Sequence, residues 1–150
     1  MSSQLHVDTL VDKAGSGGSN VKMANTSTYV GEGGSGTQNT VQGLAKSWVN
    51  FNGGGTSAGA TITPRDSFNN ASITDNGTGD YTVTITSAMA NVNYAHVGTA
   101  GQGNTALSAL CQCFDLANPT TTASRYQSPD VNGVLLEASN VHPGVLGDLA

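Results

Sequence analysis

Asp75 and Asp80 close a six-residue run, Asp75-Asn76-Gly77-Thr78-Gly79-Asp80, whose oxygen content invites comparison with a calcium loop. An EF-hand-type loop needs ligand oxygens at its first, third and fifth positions. Gly77 and Gly79 hold the last two here, so the run is read as a hairpin loop whose Asp side chains bond their own backbone. Gly31–Gly36 matches the spacing G-x-G-x-x-G. No buried strand precedes it and no long helix follows to aim amides at a pyrophosphate, so it is read as a linker. Gly43-Leu44-Ala45-Lys46-Ser47 only echoes a phosphate loop, because its upstream glycine spacing is wrong. Cys111-Gln112-Cys113 puts two thiols on one face of a strand, too few ligands for zinc, and a packing role is expected. His6, His96 and His142 are dispersed and read as ordinary strand or loop residues. Glycoside hydrolysis needs paired carboxylates; Glu32, Glu137 and the scattered Asp residues offer no preferred pair, and Asp66 is expected to pair with Arg65 or another strand. No catalytic, cofactor-binding or metal residue is assigned, and no enzyme is expected.

The elements that must position any site are strands. Asp80–Thr86 sets Tyr81, Val83 and Ile85 on one face and Thr82, Thr84 and Thr86 on the other, a period of two. Asp66–Thr74 is read as its hairpin partner, with Asn76-Gly77 as the turn. Further strands are predicted at Trp48–Asn52, Tyr94–Thr99, Thr105–Phe114, Val131–Ala138 and Val141–Leu146. Val41, Leu44, Ala45 and Trp48 have helical spacing, which allows one short helical turn. Ahead of these, Leu5–Val11 alternates like a strand, with short candidates at Val21–Met23 and Thr28–Val30 before the Gly31–Gly36 linker. Residues 1–40 carry too little apolar mass for a core, so they are expected to form an extended arm that orders against other chains, with a domain over 41–150.

Composition narrows the class. Of 150 residues only 10% are charged, and 20 are Gly; ordinary soluble proteins carry about 25% charge. Glu and Lys are scarce, which sets a helical bundle aside. A net charge of −5, with five dispersed basic residues, disfavours nucleic acid and anionic membranes. No apolar run approaches the ~20 residues that span a bilayer, and the N-terminus lacks the basic and apolar stretches of a signal peptide. The expected fold is all-β, an antiparallel β-sandwich or jelly-roll-like knob. Trp48, Phe51, Phe68, Tyr81, Tyr94, Phe114 and Tyr126 are the large aromatic residues. Most are expected in the core, with one or two exposed on loops able to stack on sugars.

Gly43-Leu44-Ala45-Lys46-Ser47-Trp48-Val49-Asn50-Phe51-Asn52-Gly53, followed by Arg65-Asp66-Ser67-Phe68-Asn69-Asn70-Ala71-Ser72-Ile73-Thr74-Asp75-Asn76-Gly77-Thr78-Gly79-Asp80-Tyr81-Thr82-Val83, resembles a recurrent block of bacteriophage tail-fibre-like proteins, many from marine and cyanobacterial hosts. The start at Leu5–Gly15 and the end Gly147-Asp148-Leu149-Ala150 are similar to theirs, and the matching segments keep their order. Gly53–Ala60 is longer than the family's usual turn, and Leu146 stands where the family has an aromatic residue.

The resemblance implies a virion structural protein, made in the host cytoplasm, that forms a homotrimer with a β-rich knob. Residues 1–40 would then attach it to other virion proteins, and the knob would face a host-surface polysaccharide. The alternative is a head decoration or capsid fibre protein with a mainly structural role. Because binding function concentrates on loops, the expected receptor contacts are Gly53, Gly55, Ser57, Gly101, Asn104, Thr120 and Thr122.

Overall fold

A computed structural model describes residues 28–30, 36–39, 43–101, 112–113 and 119–150. Ten strands lie in these segments: β1 (Thr28–Val30), β2 (Thr37–Asn39), β3 (Ala45–Asn50), β4 (Asp66–Phe68), β5 (Asn70–Gly77), β6 (Asp80–Ile85), β7 (Ala95–Gly101), β8 (Gln112–Cys113), β9 (Ala123–Gln127) and β10 (Asn140–Leu146). There is no helix among the described residues, and hence none long and apolar enough to cross a membrane. Two antiparallel four-stranded sheets, ordered β4-β3-β10-β7 and β5-β6-β9-β8, form a β-sandwich; β1 and β2 pair separately. Consecutive strands stay within one sheet in β3–β4, β5–β6 and β8–β9.

Alternation builds the core. Val49 and Phe51 from the β3 side and Val141 of β10 meet Ile73 of β5, Tyr81 and Val83 of β6 and Tyr126 of β9. The Phe51 and Tyr81 rings meet edge to face, 5.1 Å apart at 77°, a geometry that adds about 0.5–1.5 kcal/mol beyond area burial. A second cluster, Ile85, Met89, Tyr94 and Val145, fills the other end. All buried side-chain nitrogen and oxygen atoms among the described residues have partners, as a packed interior requires.

The predicted face of Tyr81, Val83 and Ile85 is the buried one. Four other expectations are corrected. The helical spacing at 41–48 gives way to strand β3 from Ala45, because β4 and β10 bond it on both sides and tertiary pairing overrides local periodicity. The hairpin arm expected over Asp66–Thr74 is two strands in different sheets. Asn69 breaks it with φ of 53°, and only β5 from Asn70 onward pairs with β6. The hairpin turn falls at Thr78–Gly79 rather than at Asn76-Gly77, with Gly77 opposite Asp80. Val131–Ala138 is not a strand. Asp130 Oδ1 accepts the Asn132 and Val134 amides, both at 2.8 Å, and such local bonding competes with sheet pairing. Strand β9, by contrast, had no sequence expectation. Of the strand expected at Thr105–Phe114, the described residues include Gln112–Cys113. The candidates at Leu5–Val11 and Val21–Met23, with Cys111, lie outside the described residues.

Candidate carbohydrate-contact face

Ser47 and Val49 of β3, and Phe51 just after it, are buried, so the pleat sends Trp48 and Asn50 to solvent. Register then sets their neighbours. Trp48 lies opposite Phe68 of β4 on one side and Gly144 of β10 on the other, and Gly144 lies opposite Val97 of β7. One row thus crosses all four strands, with Trp48 39%, Phe68 51% and Val97 49% exposed. The adjacent row carries Asp66 opposite Asn50, and His142 opposite Thr99. Exposed large apolar side chains aligned on one face are informative in a way that a single exposed one is not.

Gly144 keeps the middle of the row low. A Cβ there would meet the Ser47 carbonyl at 3.2 Å and both Trp48 Cβ and Val97 Cγ2 at 3.5 Å. The resulting groove, about 300 Å³, is lined by Trp48, Val49, Asn50, Val97, His142, Pro143 and Gly144. A flat indole, a neighbouring phenyl ring, an amide and an imidazole on rigid strands can stack against the C–H face of a sugar and bond its hydroxyls.

Arg65 stands at the end of this face. Its amide donates to the Asn50 carbonyl at 2.7 Å. Its Nη1 donates to Asn140 Oδ1 at 2.8 Å and Asn50 Oδ1 at 3.3 Å, and its Nη2 to the Ser139 carbonyl at 2.9 Å. Of the two alternatives expected for Asp66, the pair with Arg65 is not made; that guanidinium bonds neutral oxygens. Asp66 Oδ1 accepts the Ser67 amide instead, at 2.8 Å.

The other polar clusters hold the fold. Asp80 accepts from Arg125 Nε at 2.7 Å, Asn76 Nδ2 at 3.0 Å and Gln127 Nε2 at 3.1 Å, and Arg125 Nη2 completes a bidentate pair. Burial pushes the Asp80 carboxyl up, but the bonds from Arg125, Asn76 and Gln127 and the guanidinium charge outweigh it and leave it below the usual 3.8. Asp75, fully buried, accepts Thr56 Oγ1 at 2.5 Å and the Gly77 amide at 2.8 Å. Tyr81 donates to Glu137 Oε2 at 2.9 Å; burial first, then the Glu137 carboxylate, raises the phenol above its usual value. His96 Nε2 lies 3.1 Å from Ser124 Oγ. That serine is 2% exposed and within 2.9 Å of the Tyr94 hydroxyl, so it belongs to the interior network. Lys46 and Ser47 are buried in β3, which gives the phosphate-loop echo no loop.

The loop residues expected to touch a receptor are spread out. Gly53 is buried against Tyr81, where a Cβ would fall 2.1 Å from the hydroxyl, so it has no contact surface to offer. Gly55 (φ 93°) and Ser57 are exposed in the same loop. Gly101 ends β7 opposite Asn140. Thr120 Oγ1 accepts the Ala123 amide at 2.9 Å, which shapes the turn ahead of β9, and Thr122 is exposed in that turn. Asn104 and Phe114 lie outside the described residues, and Cys113 sits in β8 opposite Tyr126.

Among the six of these aromatic residues that are described, two are exposed, but not on loops. Phe51, Tyr81, Tyr94 and Tyr126 are buried, whereas Trp48 and Phe68 are exposed on strands rather than loops. Ser47-Trp48-Val49-Asn50-Phe51 alternates small or apolar positions with Trp48 and Asn50. Once Val49 and Phe51 are assigned to the core, that pattern already turns the indole outward. No protein-family model, curated protein or solved structure matches the chain.

Proposed function

We propose that the chain is a bacteriophage virion structural protein, a tail fibre or fibre-tip component, whose sandwich engages a host-surface glycan through the outer face of the β4-β3-β10-β7 sheet. The observation that carries this reading is the exposed row Phe68–Trp48–Gly144–Val97, with Asn50 and His142 beside it on rigid central strands. An ordinary solvent face would set polar side chains there. The resemblance of the Gly43–Gly53 and Arg65–Val83 segments to tail-fibre-like proteins supplies the virion context. Residues 1–40 serve as the attachment arm, and three copies assemble into the working particle component.

Antibody against the purified protein, applied to intact particles from infected cells and viewed by electron microscopy, tests the placement. Label at tail or fibre tips is expected. Label over the head would favour the decoration-protein reading, and particles without label would overturn a virion role.

A further inference from the structure

Arg65 is the one cation of the described residues that is exposed and bonded only to neutral groups. Lys46 is 5% exposed. Arg125 is paired with Asp80. Arg65 donates to Asn50, Asn140 and the Ser139 carbonyl, and no carboxylate among the described residues lies within ion-pair distance of it. Those three bonds use three of the five N–H groups of a guanidinium. Nε–H and one Nη2–H face no protein acceptor among the described residues. Two of the three bonded residues, Asn50 and Asn140, sit on the central strands β3 and β10, so the plane is fixed before any ligand arrives. A guanidinium already held in place loses little further freedom on binding. Asn50 also lines the groove beside Trp48, which joins this fork to the aromatic row.

Taking that face as the glycan-contact face proposed above, we infer that its ligand is an acidic glycan, with a sugar carboxylate or sulfate group received by Arg65 while the ring stacks on Trp48. Both anions present oxygens spaced for a guanidinium fork. The chain's net charge of −5 repels an anionic polymer at long range. The preference must therefore come from this local fork.

The test uses the full-length protein and a printed panel of bacterial surface glycans. Each uronate-bearing member is matched by its carboxyl-reduced form, and each sulfated member by its desulfated form. At low salt, acidic members are expected to bind at least about tenfold tighter than their neutral matches, the scale of one charge-assisted contact. R65Q should erase that difference and R65K should retain part of it, with amide spectra confirming that both variants are folded. The uronate and sulfate pairs separately show which anion is preferred. For the unaltered protein, the preference should shrink as salt rises, a readout that needs no substitution.

Equal affinity for acidic and neutral forms, or a preference that survives R65Q, would overturn the inference and leave the aromatic face standing. Binding that W48A leaves undiminished, or no binding to any member, would overturn the face and the inference together.

Discussion

Trp48 occupies a central strand yet faces solvent, with Phe68 and Gly144 as its lateral neighbours. Removing the indole takes away a stacking surface and little of the core. W48A is expected to weaken glycan binding by about tenfold or more, on the scale of interface hot spots, while thermal unfolding stays close to that of the parent. A parallel binding titration and melting curve check both. Asp80 tests the fold at the same scale. Its folded-state pKa is depressed, so the folded carboxylate binds fewer protons than the unfolded one near pH 3.8. The stabilisation is present above that pH and is lost as pH falls through the folded value. D80N should lower stability at neutral pH by about 1–3 kcal/mol, the cost of disrupting a buried charge-assisted network, and should flatten the acid limb of a stability–pH profile. Trp48 was named in the sequence among possible sugar-stacking residues, and its outward turn was legible from the alternation with Val49 and Phe51, but its place in a row of exposed apolar residues was not. That depends on which neighbours pair with β3. Arg65 was legible as a charge, and Asp66 as only one of its candidate partners; the partners on β3 and β10 were not, since adjacency in sequence says little about where a guanidinium reaches.

At the scale of elements, the joint between the two sheets is Asn69. It holds φ at 53°, a conformation that costs most residues other than Gly and Asn. Its Nδ2 donates to the Lys46 and Ser87 carbonyls at 2.8 and 3.1 Å, and its Oδ1 accepts the Ser87 amide at 2.7 Å. N69A loses these bonds and keeps the strain, so it should destabilise by about 1–3 kcal/mol. N69G loses the bonds but relieves the strain and should fall between N69A and the parent in chemical denaturation. This joint also explains a misread element. Asp66–Thr74 alternates well enough for one strand, and nothing in that alternation marks the residue where the chain changes sheet. The clean strand β6 was legible because its Thr face and apolar face differ sharply. Val131–Ala138 was not, because Asp130 captures the backbone that a strand would need.

For the whole molecule, low charge and a Gly-, Ser-, Thr- and Asn-rich composition made the all-β class legible before any strand was placed. How eight strands divide between sheets was not, since that follows from long-range pairing such as β3 with β10. The assembly proposed here makes a prediction at this scale. Light scattering of the full-length protein should give about 45 kDa, three times the 15.1 kDa chain, as the proposed closed homotrimer requires. A truncation starting at residue 41 should lose that mass while keeping the sandwich's circular dichroism. A full-length monomer would remove the trimer from the account. In the proposed function the glycan meets the outer face of the β4-β3-β10-β7 sheet. The most direct test is to titrate isotope-labelled protein with the best-binding panel glycan and follow backbone amides and the tryptophan indole by NMR. The account predicts perturbations centred on Trp48, Asn50, Phe68, Val97 and Gly144. Perturbations confined to the turns around Ser57 and Thr122, or to Thr74 and Thr82 on the opposite sheet, would contradict it.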